Sequence, residues 1–139
     1  MYNLRMWTLD IVAGEGRVGN EAGGNGLETT QLSNFTATSD NSGAKELWRG
    51  PWAGISRTNW ILTNIDKSPK ISDAKKTQYK GEAHFLRGLY YFNLVRLFGD
   101  VPWIDKQQTA SDDLQVSRTS KDIVYQHIID CLLYTSDAA

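Results

Sequence analysis

The stretch KGEAHFLRGLYYFNLVRLFGDVPWI, residues 80–104, decides the fold of this chain. Its apolar side chains follow two stripes at helical spacing, one formed by Ala83, Leu86, Tyr90, Leu94 and Leu97 and the other by Phe85, Leu89, Phe92 and Val95. This periodicity predicts a helix that is buried on two sides. Gly99 and Pro102 predict its end, because glycine adopts the left-handed conformation of a helix C-terminus and proline cannot continue a helix. Gly88 lies within the helix, where glycine is unfavourable, and therefore predicts a second helix that approaches closely.

Two further helices are predicted around this central helix, which we place at about residues 72–98. Residues 43–66 carry side chains at helical spacing, namely Trp48, Trp52, Ile55, Asn59 and Leu62. Gly50-Pro51 predicts either a kink or a second segment that begins at Pro51. The connection to the central helix is short, so the two helices should lie side by side and antiparallel. The last helix is predicted at residues 119–130.

Several short motifs in this region resemble, in order and spacing, the SusD/RagB family of lipid-anchored glycan-binding proteins in the outer membrane of Bacteroidetes. They are GEA, FLR, YYF, LVRLFGD and VP, between residues 81 and 102. LWRGPWAGISRTNWIL at residues 47–62 resembles the family's preceding helix, and SRTSKDIVYQHIID at residues 117–130 resembles the following one. Gly88 departs from the family pattern, in which alanine is common. The resemblance implies an all-α fold of antiparallel helical hairpins, arranged as a tetratricopeptide-like array with long irregular loops.

The two ends of the chain differ from its helical middle. Residues 4–12 are predicted to be the end of a helix, and residues 14–42 a long irregular loop, because that stretch holds six of the twelve glycines and many Thr, Ser and Asn residues. The resemblance implies that residues 1–130 are a partial SusD-like helical domain, because family members are several times longer and begin with a lipoprotein leader not found in this sequence. Residues 131–139, CLLYTSDAA, interrupt the last helical pattern and are predicted to be a non-native tail.

Composition and charge exclude several classes of function. Lys and Arg number 15 against 16 Asp and Glu, without basic blocks, so nucleic acid is not an expected partner. Cys131 is the single cysteine, and His84 has no histidine four residues away and no cysteine or carboxylate cluster at the spacing of a metal site. No nucleophile motif is present, and Asp112-Asp113 are adjacent residues that cannot flank a sugar as a glycosidase pair does. We therefore expect no metal, no cofactor and no enzymatic activity.

The resemblance implies a cell-surface glycan receptor that binds oligosaccharide and passes it to a SusC-like TonB-dependent transporter in nutrient uptake. In such a protein a lipid anchor, which lies outside this sequence, holds the chain at the outer membrane. The periodicity alone also allows a soluble tetratricopeptide-like scaffold that binds peptides and mediates protein–protein interaction. Extension of the reading frame separates the two hypotheses. A lipobox cysteine and a neighbouring transporter gene favour the receptor, whereas further helical repeats favour the scaffold.

Six residues are candidate ligand contacts, namely Asn34, Phe35, Asp40, Asn41, Trp60 and Trp103. The first four lie in the N-terminal loop, which the resemblance places near the ligand face; the alternative is a plain solvated loop. Tryptophan rings can stack on the apolar C–H faces of sugars. Trp60 lies off the main stripe of its helix, and the alternative for Trp103 is to pack beneath its own loop. We expect the chain alone to bind sugar weakly or not at all, because the family's ligand contacts come partly from regions outside it.

Four charged residues fall among the apolar positions of the predicted hairpin, namely Arg57, Glu82, Arg87 and Arg96. A buried carboxylate–guanidinium pair explains them more simply than acid–base chemistry does. The carboxylate of such a pair is Glu82.

Overall fold

A computed structural model of the chain describes residues 7–16, 27–112 and 115–137. The described residues form five α-helices and a short 3₁₀ helix, namely α1 (Trp7–Val12), α2 (Leu27–Ser33), α3 (Ser42–Asn64), the 3₁₀ helix (Ile65–Lys67), α4 (Asp73–Phe98) and α5 (Lys121–Asp137). No strand is assigned in these residues, which contain an isolated antiparallel bridge between Val101 and Thr119. The predicted all-α fold is confirmed.

The chain divides into two compact units, residues 1–50 and 51–139. In the first unit, α1 and α2 lie in contact. The helix end predicted at residues 4–12 corresponds to α1, with residues 4–6 outside the described part. The prediction that residues 14–42 are irregular throughout is wrong, because α2 lies within them. Residues 17–26 of that predicted loop lie outside the described part.

The two helices of the predicted hairpin are found close to their predicted bounds. The helix predicted at residues 43–66 corresponds to α3 and the 3₁₀ helix, and α3 runs through Pro51 without a break. The helix predicted at residues 72–98 corresponds to α4. It ends at Gly99, whose φ is 68° and whose N–H donates to the Val95 carbonyl over 2.9 Å. With a ψ of −127°, this positive φ gives a conformation that glycine adopts readily and residues with a Cβ atom rarely do, which explains the glycine at the helix end.

The last helix is longer than the sequence pattern predicts. The predicted end at residue 130 is wrong, because α5 continues to Asp137. Three apolar residues on one face of α5 are buried, namely Val124, Ile128 and Cys131. One turn later, the Thr135 hydroxyl donates to the Gly81 carbonyl of α4 over 3.2 Å. Residues 131–137 are therefore part of the packed helix, and their exclusion from the fold is corrected.

In the second unit, α4 lies between two helices that approach it at glycines. A Cβ atom on Gly88 of α4 would lie 3.6 Å from the Cys131 Cβ atom and 3.7 Å from the Leu132 Cδ2 atom of α5. The prediction of a close neighbouring helix at Gly88 is therefore confirmed. On α3, a Cβ atom on Gly54 would overlap the ring of Tyr90. Glycine at that position lets the tyrosine ring of α4 lie against the α3 backbone.

A buried polar network attaches the segment after α4 to the helices. The Tyr91 hydroxyl donates to the Ile104 carbonyl over 3.0 Å and accepts from the Ile104 N–H over 2.7 Å. The Arg87 Nη1 atom donates to the Asn59 Oδ1 atom over 3.1 Å and to the Asp105 carbonyl over 2.9 Å. Since each partner sits on a different element, the network fixes the path of residues 104–105 across α3 and α4.

The predicted buried carboxylate–guanidinium pair is wrong. Arg87 is buried, but within the described residues no carboxylate lies at ion-pair distance from it. Glu82 is exposed and accepts a hydrogen bond from Gln78 over 2.9 Å, and Arg57 is exposed. Arg96 is exposed too, with its guanidinium carbon 5.4 Å from the centre of the Phe92 ring. Amide and carbonyl oxygens solvate Arg87 instead, which avoids the cost of desolvating a carboxylate.

The start of α5 is joined to the end of α4. Thr119 N–H donates to the Val101 carbonyl over 3.0 Å, and the Lys121 N–H donates to the Asp100 carboxylate over 2.8 Å. An acidic side chain at a helix N-terminus satisfies an unpaired N–H group and interacts favourably with the helix dipole. Both contacts hold the two ends of the connecting segment together.

The prediction that α4 is buried on two sides is wrong for three of the four residues of one stripe, in which Val95 alone is buried, at 3% exposed. Leu94 is 0% exposed, whereas Phe85, Leu89 and Phe92 are 46%, 39% and 41% exposed. The difference arises because the described elements of the second unit pack against α4 elsewhere and leave Phe85, Leu89 and Phe92 uncovered.

Candidate functional site

Phe35 lies in an exposed turn at the end of α2. Its N–H donates to the Leu32 carbonyl over 3.3 Å, and the Thr36 N–H donates to the Gln31 carbonyl over 2.9 Å. These two hydrogen bonds form a Schellman motif, in which the residue just after the helix C-cap adopts the left-handed conformation. Phe35 accordingly has a φ of 55°, and its side chain is 76% exposed.

The same turn follows α1, with glycine in the corresponding place. The Gly14 N–H donates to the Ile11 carbonyl over 3.1 Å, the Glu15 N–H donates to the Asp10 carbonyl over 2.9 Å, and the φ of Gly14 is 81°. A residue with a Cβ atom in this conformation costs about 1–2 kcal/mol more than glycine. At Phe35 that cost is not offset by burial of the ring. The turn therefore holds an aromatic side chain in solvent at a cost in stability.

The three other candidate contacts of the first unit have different surroundings. Asn34 is exposed beside Phe35. Asp40 is exposed and forms an ion pair with Lys45 at 3.1 Å. Asn41 is buried, and its Oδ1 atom accepts from the Ala44 N–H over 3.2 Å at the start of α3. Its Nδ2 atom donates to the Glu28 carbonyl and to the Gln31 Oε1 atom, over 2.9 Å and 3.0 Å. Asn41 thus joins α2 to α3, away from the exposed surface at Phe35.

Trp103 lies within an aromatic stack in the second unit. Its ring centre is 4.1 Å from that of Tyr91 and 4.5 Å from that of His127. The Arg87 guanidinium carbon lies 5.7 Å from the same ring. The ring faces of Trp103 are therefore occupied by other side chains. This arrangement favours the second hypothesis for Trp103, that it packs beneath its own loop and does not contact a ligand.

Trp60 is 57% exposed and borders an apolar groove of about 380 Å³ in the second unit. Its apolar lining comes mainly from Trp60, Ile61, Ile65, Ile71, Tyr79 and Leu86. Two polar side chains at its edge are hydrogen-bonded: the Asn64 Nδ2 atom donates to the Gln107 Oε1 atom over 2.8 Å, and the Glu82 carboxylate accepts from the Gln78 Nε2 atom over 2.9 Å. Sequence reasoning identified Trp60 but missed Ile71 and Tyr79. Ile71 lies in the connection between helices, where no periodicity marks a residue as part of a site.

Three ionisable groups of the second unit, His84, Tyr91 and Asp112, have pKa values that their surroundings shift. Burial, assisted by the positive charge of Arg87, lowers the pKa of His84 to about 4, so its ring is neutral. Burial also raises the pKa of Tyr91. The Thr109 N–H, which donates to the Asp112 carboxylate over 2.7 Å, lowers the pKa of that exposed acid. Asp113, its neighbour in sequence, lies outside the described residues.

No cluster of three or more His, Cys, Asp or Glu side chains is arranged to bind a metal ion in the described ranges. None of the helices described here has the length and apolar character needed to cross a bilayer.

Comparisons with known proteins agree on one family. The sequence profile of a SusD-like family, described as "Starch-binding associating with outer membrane", matches residues 5–138. The chain is 32% identical over 108 residues to SusD-like protein P2 of Formosa agariphila, which covers 77% of this chain and 21% of that relative. The chain spans about a fifth of the length of the curated relatives it matches.

Solved structures extend the likeness to the fold. A laminarin-binding SusD-like protein superposes with a TM-score of 0.81 at 26% identity, over 94% of this chain and 29% of that one. A structure with xylogluco-oligosaccharide superposes with a TM-score of 0.77 at 25% identity, over 99% of this chain and 26% of that one. Because the profile match covers nearly all of the sequence and these structures share its fold, the chain belongs to the SusD-like family.

Proposed function

We propose that this chain is part of a cell-surface glycan receptor that binds oligosaccharide at the outer membrane and acts with a SusC-like TonB-dependent transporter in nutrient uptake. The observation that carries the proposal is the family match over residues 5–138, together with the likeness to a laminarin-binding protein and to a structure with xylogluco-oligosaccharide. In this proposal, a lipid anchor outside the present sequence holds the receptor at the membrane surface.

Phe35 is the proposed sugar contact of the first unit. An aromatic ring offers a flat apolar surface on which the C–H face of a sugar ring can stack, and Phe35 presents most of its ring to solvent. Its backbone conformation costs stability without any gain from packing, which supports a role for the ring in binding. Asn34 and Asp40, both exposed, supply hydrogen-bonding groups for hydroxyls nearby in sequence.

Binding without catalysis is the proposed activity. Glycoside hydrolysis requires two carboxyl groups on opposite sides of the scissile bond, with one of them kept protonated near neutral pH. The hydrogen bonds from Thr109 favour the charged form of Asp112, which is the opposite of what a general acid requires. The receptor is therefore expected to leave the glycan intact.

The Trp60 groove favours one further candidate function, the binding of peptide segments by a helical scaffold. Its lining is mostly apolar, and the Asn64 and Glu82 side chains at its edge are already hydrogen-bonded, so it suits an aliphatic or aromatic side chain better than a sugar with many hydroxyls. Trp60 remains a proposed sugar contact only at the exposed edge of its ring.

Isothermal titration with laminarin and xyloglucan oligosaccharides, then starch, mannan and xylan fragments, tests the receptor proposal. We expect millimolar or weaker binding by the 139-residue chain and tighter binding by a polypeptide extended along the reading frame to the length of the relatives. In the longer protein, Phe35→Ala should weaken binding by about tenfold, the loss of one aromatic stacking contact.

Leu27→Ala is the matched control for this titration. Leu27 is 73% exposed in the same unit and is likewise apolar, but it lies in regular helix. Its replacement should leave the affinity unchanged. A longer protein that binds none of these glycans, or that binds them equally well with and without the Phe35 ring, would contradict the proposal.

A further inference from the structure

Lysines are concentrated around the turn between α3 and α4. Residues 66–80 hold five lysines and two aspartates, in a chain whose net charge is −1. The Asp66 Oδ2 atom lies 2.8 Å from the Lys80 Nζ atom. The Asp73 Oδ1 atom lies 3.5 Å from the Lys76 Nζ atom. The other three lysines are exposed, and within the described residues no carboxylate lies at ion-pair distance from them. We call them the turn lysines, namely Lys67, Lys70 and Lys75.

The turn lysines lie beside the Trp60 groove. The Lys67 Nζ atom donates to the Oδ1 atom of Asn64, which lines the groove, over 3.0 Å. Lys75 lies four residues before Tyr79, another lining residue, and so shares its side of α4. The remaining turn lysine directly precedes a lining residue in the sequence. Positive charge therefore borders the groove at the end nearest the turn.

Among the described residues that line the groove, Glu82 is the one with a charged side chain. Glu82 follows Tyr79 by three residues, whereas Lys75 precedes it by four, so the two charges lie on opposite sides of Tyr79 along α4. The Glu82 carboxylate already accepts a hydrogen bond from the Gln78 Nε2 atom over 2.9 Å. The groove is thus bordered by three cations at one end and by one hydrogen-bonded carboxylate further along.

The interior of the groove is apolar and partly aromatic. Its volume, about 380 Å³, falls within the range of pockets that bind ligands. Trp60 and Tyr79 are 57% and 38% exposed, so both rings are accessible. Apolar side chains gain free energy by leaving water in such a groove, and acidic side chains beside them are attracted to the turn lysines. A peptide segment supplies both kinds of group, whereas a neutral sugar supplies neither.

We propose that the Trp60 groove binds an acidic peptide segment of a partner protein. Apolar side chains of the peptide lie against Trp60 and Tyr79, and its Asp and Glu side chains pair with the turn lysines. Because exposed ion pairs add little affinity, apolar contact supplies most of the binding free energy, and the turn lysines select acidic partners and speed association. The inference rests on the second candidate function, peptide binding, and is independent of the glycan-receptor proposal.

Selection from a random peptide library displayed on phage tests this inference. The targets are the 139-residue chain and the polypeptide extended along its reading frame. We expect both targets to recover peptides enriched in Asp and Glu beside Leu, Ile or Phe. Fluorescence anisotropy of a labelled copy of the most frequent peptide then measures its affinity for variants of each protein.

Two variants examine the two parts of the proposed contact. Trp60→Ala should weaken binding by about tenfold, through loss of an aromatic contact. The double variant Lys70→Glu/Lys75→Glu should also weaken binding by about tenfold at low salt, with a smaller effect at high salt because salt screens exposed charges. The matched control is Arg118→Glu/Lys121→Glu, which changes the net charge equally at two exposed positions outside the groove lining and should leave the affinity unchanged. Equal helical circular dichroism establishes that each variant is folded.

Four results would overturn the inference. Peptides without acidic enrichment, bound equally well by Lys70→Glu/Lys75→Glu, would leave peptide binding standing but remove the selection for acidic partners. Recovery of no peptide whose binding depends on Trp60 would contradict peptide binding as well. Binding by the short chain alone would mean that the longer polypeptide covers the groove itself. Tighter binding of oligogalacturonate, or of phosphatidylglycerol vesicles, than of any recovered peptide would identify an acidic glycan or a membrane surface as the occupant instead.

Discussion

The two sides of α4 carry similar apolar residues but have different surroundings. On one side, Leu94 and Tyr91 are buried beneath neighbouring elements, and on the other, Phe85 and Leu89 are exposed. Hydrophobic periodicity is equally strong on both sides. The difference teaches that the pattern identifies the residues that require burial, whereas the covering element must come from elsewhere in the sequence, or from outside the chain.

The largest predicted effect contrasts one leucine from each side. Leu94→Ala should destabilise the second unit by about 2–5 kcal/mol, because it leaves a cavity among buried side chains. Leu89→Ala should cost less than about 1 kcal/mol in the 139-residue chain, because its side chain is already partly hydrated. Urea unfolding followed by circular dichroism measures both. Equal losses of unfolding free energy in the two variants would mean that both sides of α4 are buried to the same extent.

Two glycines give the next contrast. Gly54→Ala should destabilise by about 1–3 kcal/mol, because the new methyl group overlaps the Tyr90 ring and forces it to move. Gly88→Ala should be neutral or stabilise by about 0.5–1 kcal/mol, since its methyl group meets α5 at ordinary contact distance and alanine favours a helix. The same urea series tests this pair. A large loss at Gly88 would show that α4 and α5 are closer than described here.

The smallest predicted effect is a pH dependence that depends on His84. Its pKa is lowered to about 4 in the folded chain from 6.5, so the unfolded chain binds the proton first as the pH falls. The stability contribution of the neutral ring is complete above about pH 6.5 and is lost progressively toward pH 4. Because the ring is partly solvated, we expect a change of about 1 kcal/mol.

His84→Gln isolates this pH dependence. Glutamine keeps a hydrogen-bond acceptor for the Arg87 Nη2 atom, which lies 3.3 Å from the His84 Nδ1 atom, but does not titrate. The difference in unfolding free energy between pH 7 and pH 5 should therefore be smaller in the variant than in the parent chain. An identical difference in both proteins would place the pH dependence at other groups.

The part of the fold that the sequence predicted well is the part determined by local signals. The bounds of α4 follow from a long periodic segment and from Gly99, whose φ is positive. α2 was missed because LETTQLS is short and rich in Thr and Ser, and its link to the start of α3 depends on Asn41. Such a contact between distant residues has no local pattern.

The end of α5 was missed for a different reason. Val124, Ile128, Cys131 and Thr135 keep a helical spacing, but residues 131–139 were interpreted as a non-native tail that interrupts the pattern, so the helix was predicted to end at residue 130. In the structure, small side chains are what the close contact at Gly88 requires. The helical spacing was present in the sequence. The contact with α4, which shows that these residues are packed, cannot be read from that spacing.

The sequence predicted which segment holds the candidate contact Phe35, but it did not predict the backbone conformation or the contacts of the candidate residues. The N-terminal loop identified Phe35 as an isolated aromatic residue, but its left-handed conformation follows from hydrogen bonds that close the end of α2. Asn41 was grouped with Phe35 because both lie in the predicted N-terminal loop, and Trp103 because it is an aromatic residue in a loop. The hydrogen bonds of Asn41 and the ring contacts of Trp103 distinguish these two residues from Phe35. Such contacts depend on the packed structure.

The paired ends of the segment between α4 and α5 make it a natural place for insertions. Residues 115–118 are exposed, and the Val101–Thr119 bridge and the Asp100 carboxylate fix the points where the chain leaves and returns. Added length there costs only loop-closure entropy, about 0.6 kcal/mol for each doubling. A fluorescent or epitope tag grafted at this point would be displayed at a defined position while both helices keep their register.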